Sequence, residues 1–143
     1  MSGTVSGATG AAAADVLPER SFDVTPTFVV STALATRDFQ DVHHDRDKAI
    51  ARGSKDIFVN ILTTTGLVQS YVAAWAGPGA TVRSVDIRLG VPCYAYETLV
   101  LSGRVVRREG DEVEVAVTGR VSLGDHVTGK VVVRTGRESG GPA

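Results

Sequence analysis

The stretch DIFVNILTTTGLVQSYVAAWAG, residues 56–77, is the longest apolar segment of the 143-residue chain. Within it Ile57, Ile61, Thr65, Val68, Val72 and Trp75 recur every three or four residues, and Phe58 and Leu62 widen the stripe. That period predicts a helix buried on much of its circumference. Thr63, Thr64, Thr65 and Gly66 are poor helix formers, so tertiary burial has to override local propensity there. The glycine predicts close approach of a second backbone. Gly77, Pro78 and Gly79 end the helix.

Everything after this helix reads as strand. SVDIRL (84–89) alternates Val85, Ile87 and Leu89 with Ser84, Asp86 and Arg88. ETLVLSGRVVRR (97–108) and EVEVAVTGRVSL (112–123) are joined by a Glu-Gly-Asp turn, and HVTGKVVVR (126–134) alternates again. Before the helix, FVVSTAL (28–34) is β-branched and predicts a further strand, while residues 41–52 predict a short helix stopped by Gly53. Helices segregated to one side of an antiparallel sheet define an α+β domain. One long apolar helix wrapped by a curved sheet is the hotdog arrangement. We expect a single domain over 23–135, with disordered tails at 1–22 and 136–143 and a fleeting helix at 11–16.

Composition narrows the function classes. Apolar content of 43%, charged content of 22% and a net charge of -1 describe an ordinary globular domain, with no electrostatic case for nucleic acid or an anionic membrane. The single Cys93 forms no internal disulfide and belongs to no metal-ligand pattern, which predicts a small apolar filler in a cytoplasmic protein without metal or cofactor. No run is long enough to span a bilayer, and the N-terminus lacks the basic start of a signal peptide.

RDFQDVHHDRDKA (37–49) brings two of the three histidines into a cluster of carboxylates just ahead of the long helix. Within it DFQDVHHD (38–45) resembles the signature of the MaoC-like hydratases, Asp-x-Asn-Pro-x-His followed closely by Asp. Asp38 and His43 fall on its first and last positions, and Asp45 on the trailing Asp. Residues 37–71 and RLGVPCYAYETL (88–99) resemble, more narrowly, the smaller subunits of two-component members that act in steroid side-chain degradation. The resemblance covers roughly residues 24–134. It departs from the family at Gln40-Asp41, which replace Asn-Pro, and at Asn60-Ile61, which replace a His-Gly whose glycine N–H polarises the thioester carbonyl.

The resemblance implies a cytoplasmic enoyl-CoA hydratase with Asp38 and His43 as the catalytic pair holding one water. An Asp and a His straddling a water can manage both proton transfers that hydration requires. Gln40 and Asn60 are expected to orient that water or the thioester arm, and the Ile61 N–H to face the developing enolate oxygen at the positive end of the helix dipole. It also implies a CoA thioester substrate carrying a steroid side chain and a second MaoC-like hotdog chain, as heterodimer or heterotetramer, with a homodimer as the alternative. Two other readings remain: a non-catalytic subunit that props up an active partner, and an acyl-CoA thioesterase. Among the other polar residues, His44 reads as solvent-facing, Asp45 and Asp47 as helix N-terminal carboxylates, and Asp125-His126 as part of a turn. Tyr94 and Tyr96 read as packing residues, and Arg104, Arg107 and Arg108 as solvated strand cations.

Overall fold

The computed structural model describes residues 15–136. Element order is β1 (Val16–Asp23), α1 (Pro26–Ala35), a 3₁₀ turn (Asp41–His43), α2 (Arg46–Ala51), α3 (Ile61–Ala76), β2 (Thr81–Leu89), β3 (Thr98–Glu109), β4 (Glu112–Val121) and β5 (Gly124–Arg134). The strands form one antiparallel sheet in the order β1-β3-β4-β5-β2, with β1 and β2 at its edges. Alternate residues of β4, from Val113 to Val121, are buried or nearly so, and they meet the buried side of α3 at Val68, Tyr71 and Val72. This is the α+β hotdog arrangement expected from the sequence.

Several expectations fail locally, the first three as follows. Residues 28–34 are helix α1, not strand. Thr25 caps it by accepting the Phe28 N–H at 3.0 Å, Pro26 occupies the first turn, and the Thr32 and Thr36 hydroxyls donate back to the carbonyls of Phe28 and Thr32. The Thr-Pro pair at 25–26 is the start signal that outweighs the β-branched run. Residues 16–22, read as part of a disordered tail, belong to β1. This edge strand fully buries only Leu17 and bulges between Leu17 and Arg20, where the Pro18 carbonyl accepts the Tyr71 hydroxyl at 2.8 Å. An edge strand with one inward side chain carries little periodic signal. Residues 1–14 and 137–143, including most of the expected 11–16 helix, lie outside the described residues.

The third correction concerns the register of the long helix. It begins at Ile61, because residues 57–59 are extended: Val59 N–H donates to the Cys93 carbonyl and Ala95 N–H to that of Ile57. The buried face is therefore Thr63, Thr64, Val68, Tyr71 and Val72, while Ile61 and Leu62 are half exposed at 51% and 53%. Gly66 has no atom beyond its own helix within 4 Å of where a Cβ would sit, so it marks no close approach. Gly77 does cap the helix, with φ of 90°. Glycine is needed instead at Gly90, where a Cβ would fall on the Asp125 backbone carbonyl oxygen. Gly90→Ala should cost about 1–3 kcal/mol, read as a lowered denaturant midpoint at unchanged slope.

His126 lies on β5 and belongs to the core rather than to a turn. It is 2% exposed; its Nδ1–H donates to the Val91 carbonyl at 2.7 Å, and its Nε2 accepts the Thr64 hydroxyl at 2.8 Å. Burial holds the imidazole below its ordinary value of 6.5, and the Val91 bond only partly opposes this. The unfolded chain therefore takes up a proton near 6.5 while the folded chain does not. Stability from this residue is complete above that pH and declines as the pH falls beneath it, by up to about 1.4 kcal/mol per unit. Subtracting the unfolding curve of His126→Gln from that of the natural chain across this range should reveal that slope. Cys93 is likewise fully buried, its thiol pushed up to about 12 by desolvation and by Glu97.

Candidate active site

Asp38 and His43 face each other, with Oδ2 and Nε2 3.5 Å apart, and their side chains are 20% and 8% exposed. Each is aimed by local structure. Helix α1 closes in a Schellman turn: Asp38 N–H donates to the Ala33 carbonyl and Arg37 N–H to that of Leu34, with Arg37 left-handed at φ of 57°. A non-glycine residue in that conformation carries strain of about 1 kcal/mol or more. Asp38 Oδ1 then accepts the Gln40 N–H at 3.4 Å, leaving Oδ2 toward the histidine. On the other side, the 3₁₀ turn ends at His43, which is clamped to the extended segment before α3. Its Nδ1 lies 2.7 Å from the Phe58 carbonyl, Phe58 N–H donates to the Val42 carbonyl, and the Phe58 ring meets the imidazole edge-on at 4.9 Å.

The Phe58 carbonyl can only accept, so Nδ1 carries a proton, and in the neutral form of the ring this leaves Nε2 as a lone-pair acceptor. Two acceptors, Nε2 and a carboxylate oxygen, thus face one another at a separation that one water can bridge by donating a hydrogen to each. That arrangement is suited to general-base chemistry on a water.

The remaining expected site residues separate. Gln40 is exposed at the start of the 3₁₀ turn. Ile61 opens α3, so its N–H is among those that have no acceptor within the helix, and its side chain points outward. Asn60 is 1% exposed, and its side chain is committed to protein partners: Nδ2 donates to Thr36 Oγ1 at 2.8 Å, and Oδ1 accepts the Thr63 hydroxyl. The Phe58 carbonyl and Thr36 were missed from the sequence; only the fold brings positions so far along the chain together.

Elsewhere the polar residues have local tasks. His44 is exposed, Asp45 caps α2 by accepting the Lys48 N–H, and Asp47 sits in its first turn. Arg107 pairs with Glu109 and Arg108 with Asp15. Tyr94 packs edge-on against Phe58, whereas Tyr96 is 73% exposed with φ of 76°. A groove of about 510 Å³ across β2, β4 and β5, lined by residues such as Asp86, Arg88 and Lys130, contains neither Asp38 nor His43. Among the described residues no cluster of His, Cys, Asp or Glu is arranged to hold a metal ion, and no helix is long and apolar enough to cross a membrane.

No protein-family profile matches the chain. It is 65% identical over 116 residues, 81% of its own length and 90% of the relative's, to the beta subunit of 3-oxo-4,17-pregnadiene-20-carboxyl-CoA hydratase from Mycobacterium tuberculosis. Among solved structures, the ChsH1-ChsH2 complex from the same organism contains a chain matching with a TM-score of 0.82 and 62% identity, over 84% of this chain and 94% of that one. The R-hydratase PhaJ1 from Pseudomonas aeruginosa shares the fold, with a TM-score of 0.79 at 18% identity over 85% of this chain and 80% of that one. Taken with the Asp38–His43 geometry, that degree of identity assigns the chain to the MaoC-like hotdog enoyl-CoA hydratases, in the family of that hydratase beta subunit.

Proposed function

We propose that this chain supplies the acid–base pair of an enoyl-CoA hydratase that works together with a second hotdog chain. The observation that carries the proposal is the Asp38–His43 pair, 3.5 Å apart, with the histidine tautomer set by the Phe58 carbonyl and the first turn of α3 starting three residues later. A water between the two side chains gives its hydrogens to Asp38 Oδ2 and His43 Nε2 and turns an oxygen lone pair toward the β-carbon of the enoyl thioester. As the C–O bond forms, the alkene electrons move to the thioester oxygen and one water proton passes to the pair. The enolate that results is stabilised by first-turn N–H groups of α3, Ile61 first among them. Its collapse returns electrons to the α-carbon, which takes the proton back from the pair, so the net change is addition of water across the double bond.

The need for a second chain is supported by exposed apolar residues on α1, beside Asp38 in the chain, and on the first turn of α3. Phe39 is 63% exposed, Ile61 51%, Leu62 53% and Leu34 49%, and a shallow groove lined by Pro26, Thr27, Val30, Ser31 and Leu34 runs along α1. Apolar surface gathered beside a polar site is the mark of an interface or an acyl channel. The relative is named as a beta subunit and the structural match comes from a two-protein complex, which favours a related but different chain over a second copy. The relative's named substrate favours a steroid side-chain enoyl-CoA. A cytoplasmic setting accords with a CoA substrate and the free Cys93 thiol.

Loss of enoyl thioester absorbance tests this, using the complex with a steroid-derived and a short enoyl-CoA. Hydration of the steroid-derived substrate is expected, with no free thiol detected by a thiol-reactive dye. Thiol release at the rate of substrate loss would replace the hydratase reading with the thioesterase one.

A further inference from the structure

The N-cap of α3 behaves unlike an ordinary asparagine cap. Asn at this position normally turns its side-chain oxygen onto the backbone N–H two or three residues on, satisfying one of the helix's orphan donors. Asn60 has the extended backbone of an N-cap, with φ of −82° and ψ of 161°, yet its side chain makes no cap bond. It reaches across to α1 instead, where Nδ2–H donates to Thr36 Oγ1 at 2.8 Å, while its Oδ1 accepts the Thr63 hydroxyl. Thr36 in turn donates to the Thr32 carbonyl at 2.8 Å, so its hydroxyl is fixed from both sides. The relay runs from α1 through Thr36 and Asn60 to Thr63, and Asn60 itself is 1% exposed.

Its position matters. Thr36 is the C-cap of α1, two residues before Asp38, and Asn60 is two residues after Phe58, whose carbonyl holds His43. The relay ties the carboxylate's turn to the same short segment that carries the histidine's anchor and begins the helix whose N–H groups face the thioester oxygen. We propose that Asn60 and Thr36 are positioning residues. Their hydrogen bond sets Asp38 against His43 and α3, and it draws the Asn60 side chain away from the first-turn N–H groups, leaving these free for the substrate oxygen. This rests on the hydratase reading above and deepens it.

A substrate-positioning error of about 1 Å costs on the order of a hundredfold in rate. In the complex, Thr36→Val removes the acceptor while keeping the shape, and should lower kcat about tenfold to a hundredfold with KM within about twofold. Thr36→Ser, which keeps the hydroxyl, should restore kcat. Asn60→Leu combined with Thr36→Val should fall no further than Asn60→Leu alone, because the Thr36–Asn60 bond is already lost in that variant, together with the Thr63 bond. Thr36→Ala serves in place of Thr36→Val if the latter yields too little folded complex. Amide hydrogen exchange gives a readout independent of turnover: the hydrogen-bonded backbone N–H groups of residues 36–38 and of residues 64–67, the first of α3 with acceptors inside the helix, should lose protection together in Thr36→Val. Unchanged kcat, a change in KM alone, failure of serine to rescue, or fold-changes that multiply in the double variant would each overturn the positioning role. A natural complex that hydrates nothing would overturn the hydratase reading instead, while the coupled exchange would still test the Thr36–Asn60 relay.

Discussion

Replacing Asp38 with Asn, or His43 with Ala, should lower kcat/KM of the assembled complex by about 10²–10⁴, the range ascribed to a positioned acid–base group. Asp38→Asn keeps the size and the Oδ1 that accepts the Gln40 N–H, but the group facing Nε2 becomes a poor base or a donor. His43→Ala additionally strips the Phe58 carbonyl of its donor, a loss of about 1–3 kcal/mol in a buried setting, so melting of the complex must be recorded beside its rate. If both side chains hold one water, the double variant should be no slower than the worse single one, since half a site does not hold the water. Two multiplicative losses would mean that the residues act in separate steps. Normal activity in either single variant would move the chemistry to the partner chain and leave this one a support.

The second large effect is expected at Ile61, and proline is the informative substitution. Ile61 is the first residue of α3, where proline fits, because that N–H bonds to nothing inside the helix. The preceding Asn60 already has the extended backbone that proline demands of its neighbour. Ile61→Pro therefore deletes a single backbone donor while the helix persists. If that donor faces the developing enolate oxygen, kcat should fall about 10²–10³. Ile61→Ala, which keeps the N–H and trims an outward side chain, separates this from lost apolar contact. Circular dichroism should be the same for both variants. A proline variant as fast as the alanine one would remove Ile61 from the oxyanion role.

How much of this could be read from the sequence differs by element. Strands β2 to β5 were legible because Val and Ile alternate with charged residues along them, as a sheet with one buried face requires. The helix after Asn60 was legible as a buried helix but not in register, since Ile57 and Val59 are apolar for a different reason: they pair with residues 93–95. Extending the helical period through them turned the stripe toward Ile61 and Leu62, which the fold leaves exposed. Helix α1 was hidden behind Val29 and Val30, although Thr25-Pro26 carried the cap signal. Asp38 and His43 could be named because the local stretch DFQDVHHD (38–45) resembles the signature of the MaoC-like hydratases. The Phe58 carbonyl and the Thr36 hydroxyl could not, because backbone groups and long-range hydrogen bonds leave no mark on a local pattern. Asn60 was singled out but given the substrate as its partner, where the fold supplies Thr36 and Thr63.

The claim that a site built on this chain is completed by a second one is tested most directly by reconstitution. Enoyl thioester absorbance would be followed with this chain alone, with the partner hotdog chain alone, and with the two mixed, on a steroid-derived enoyl-CoA. The account predicts slow or no turnover from either chain and rapid hydration on mixing. Full-rate hydration by the partner alone would contradict it, and so would this chain reaching the complex's rate by itself.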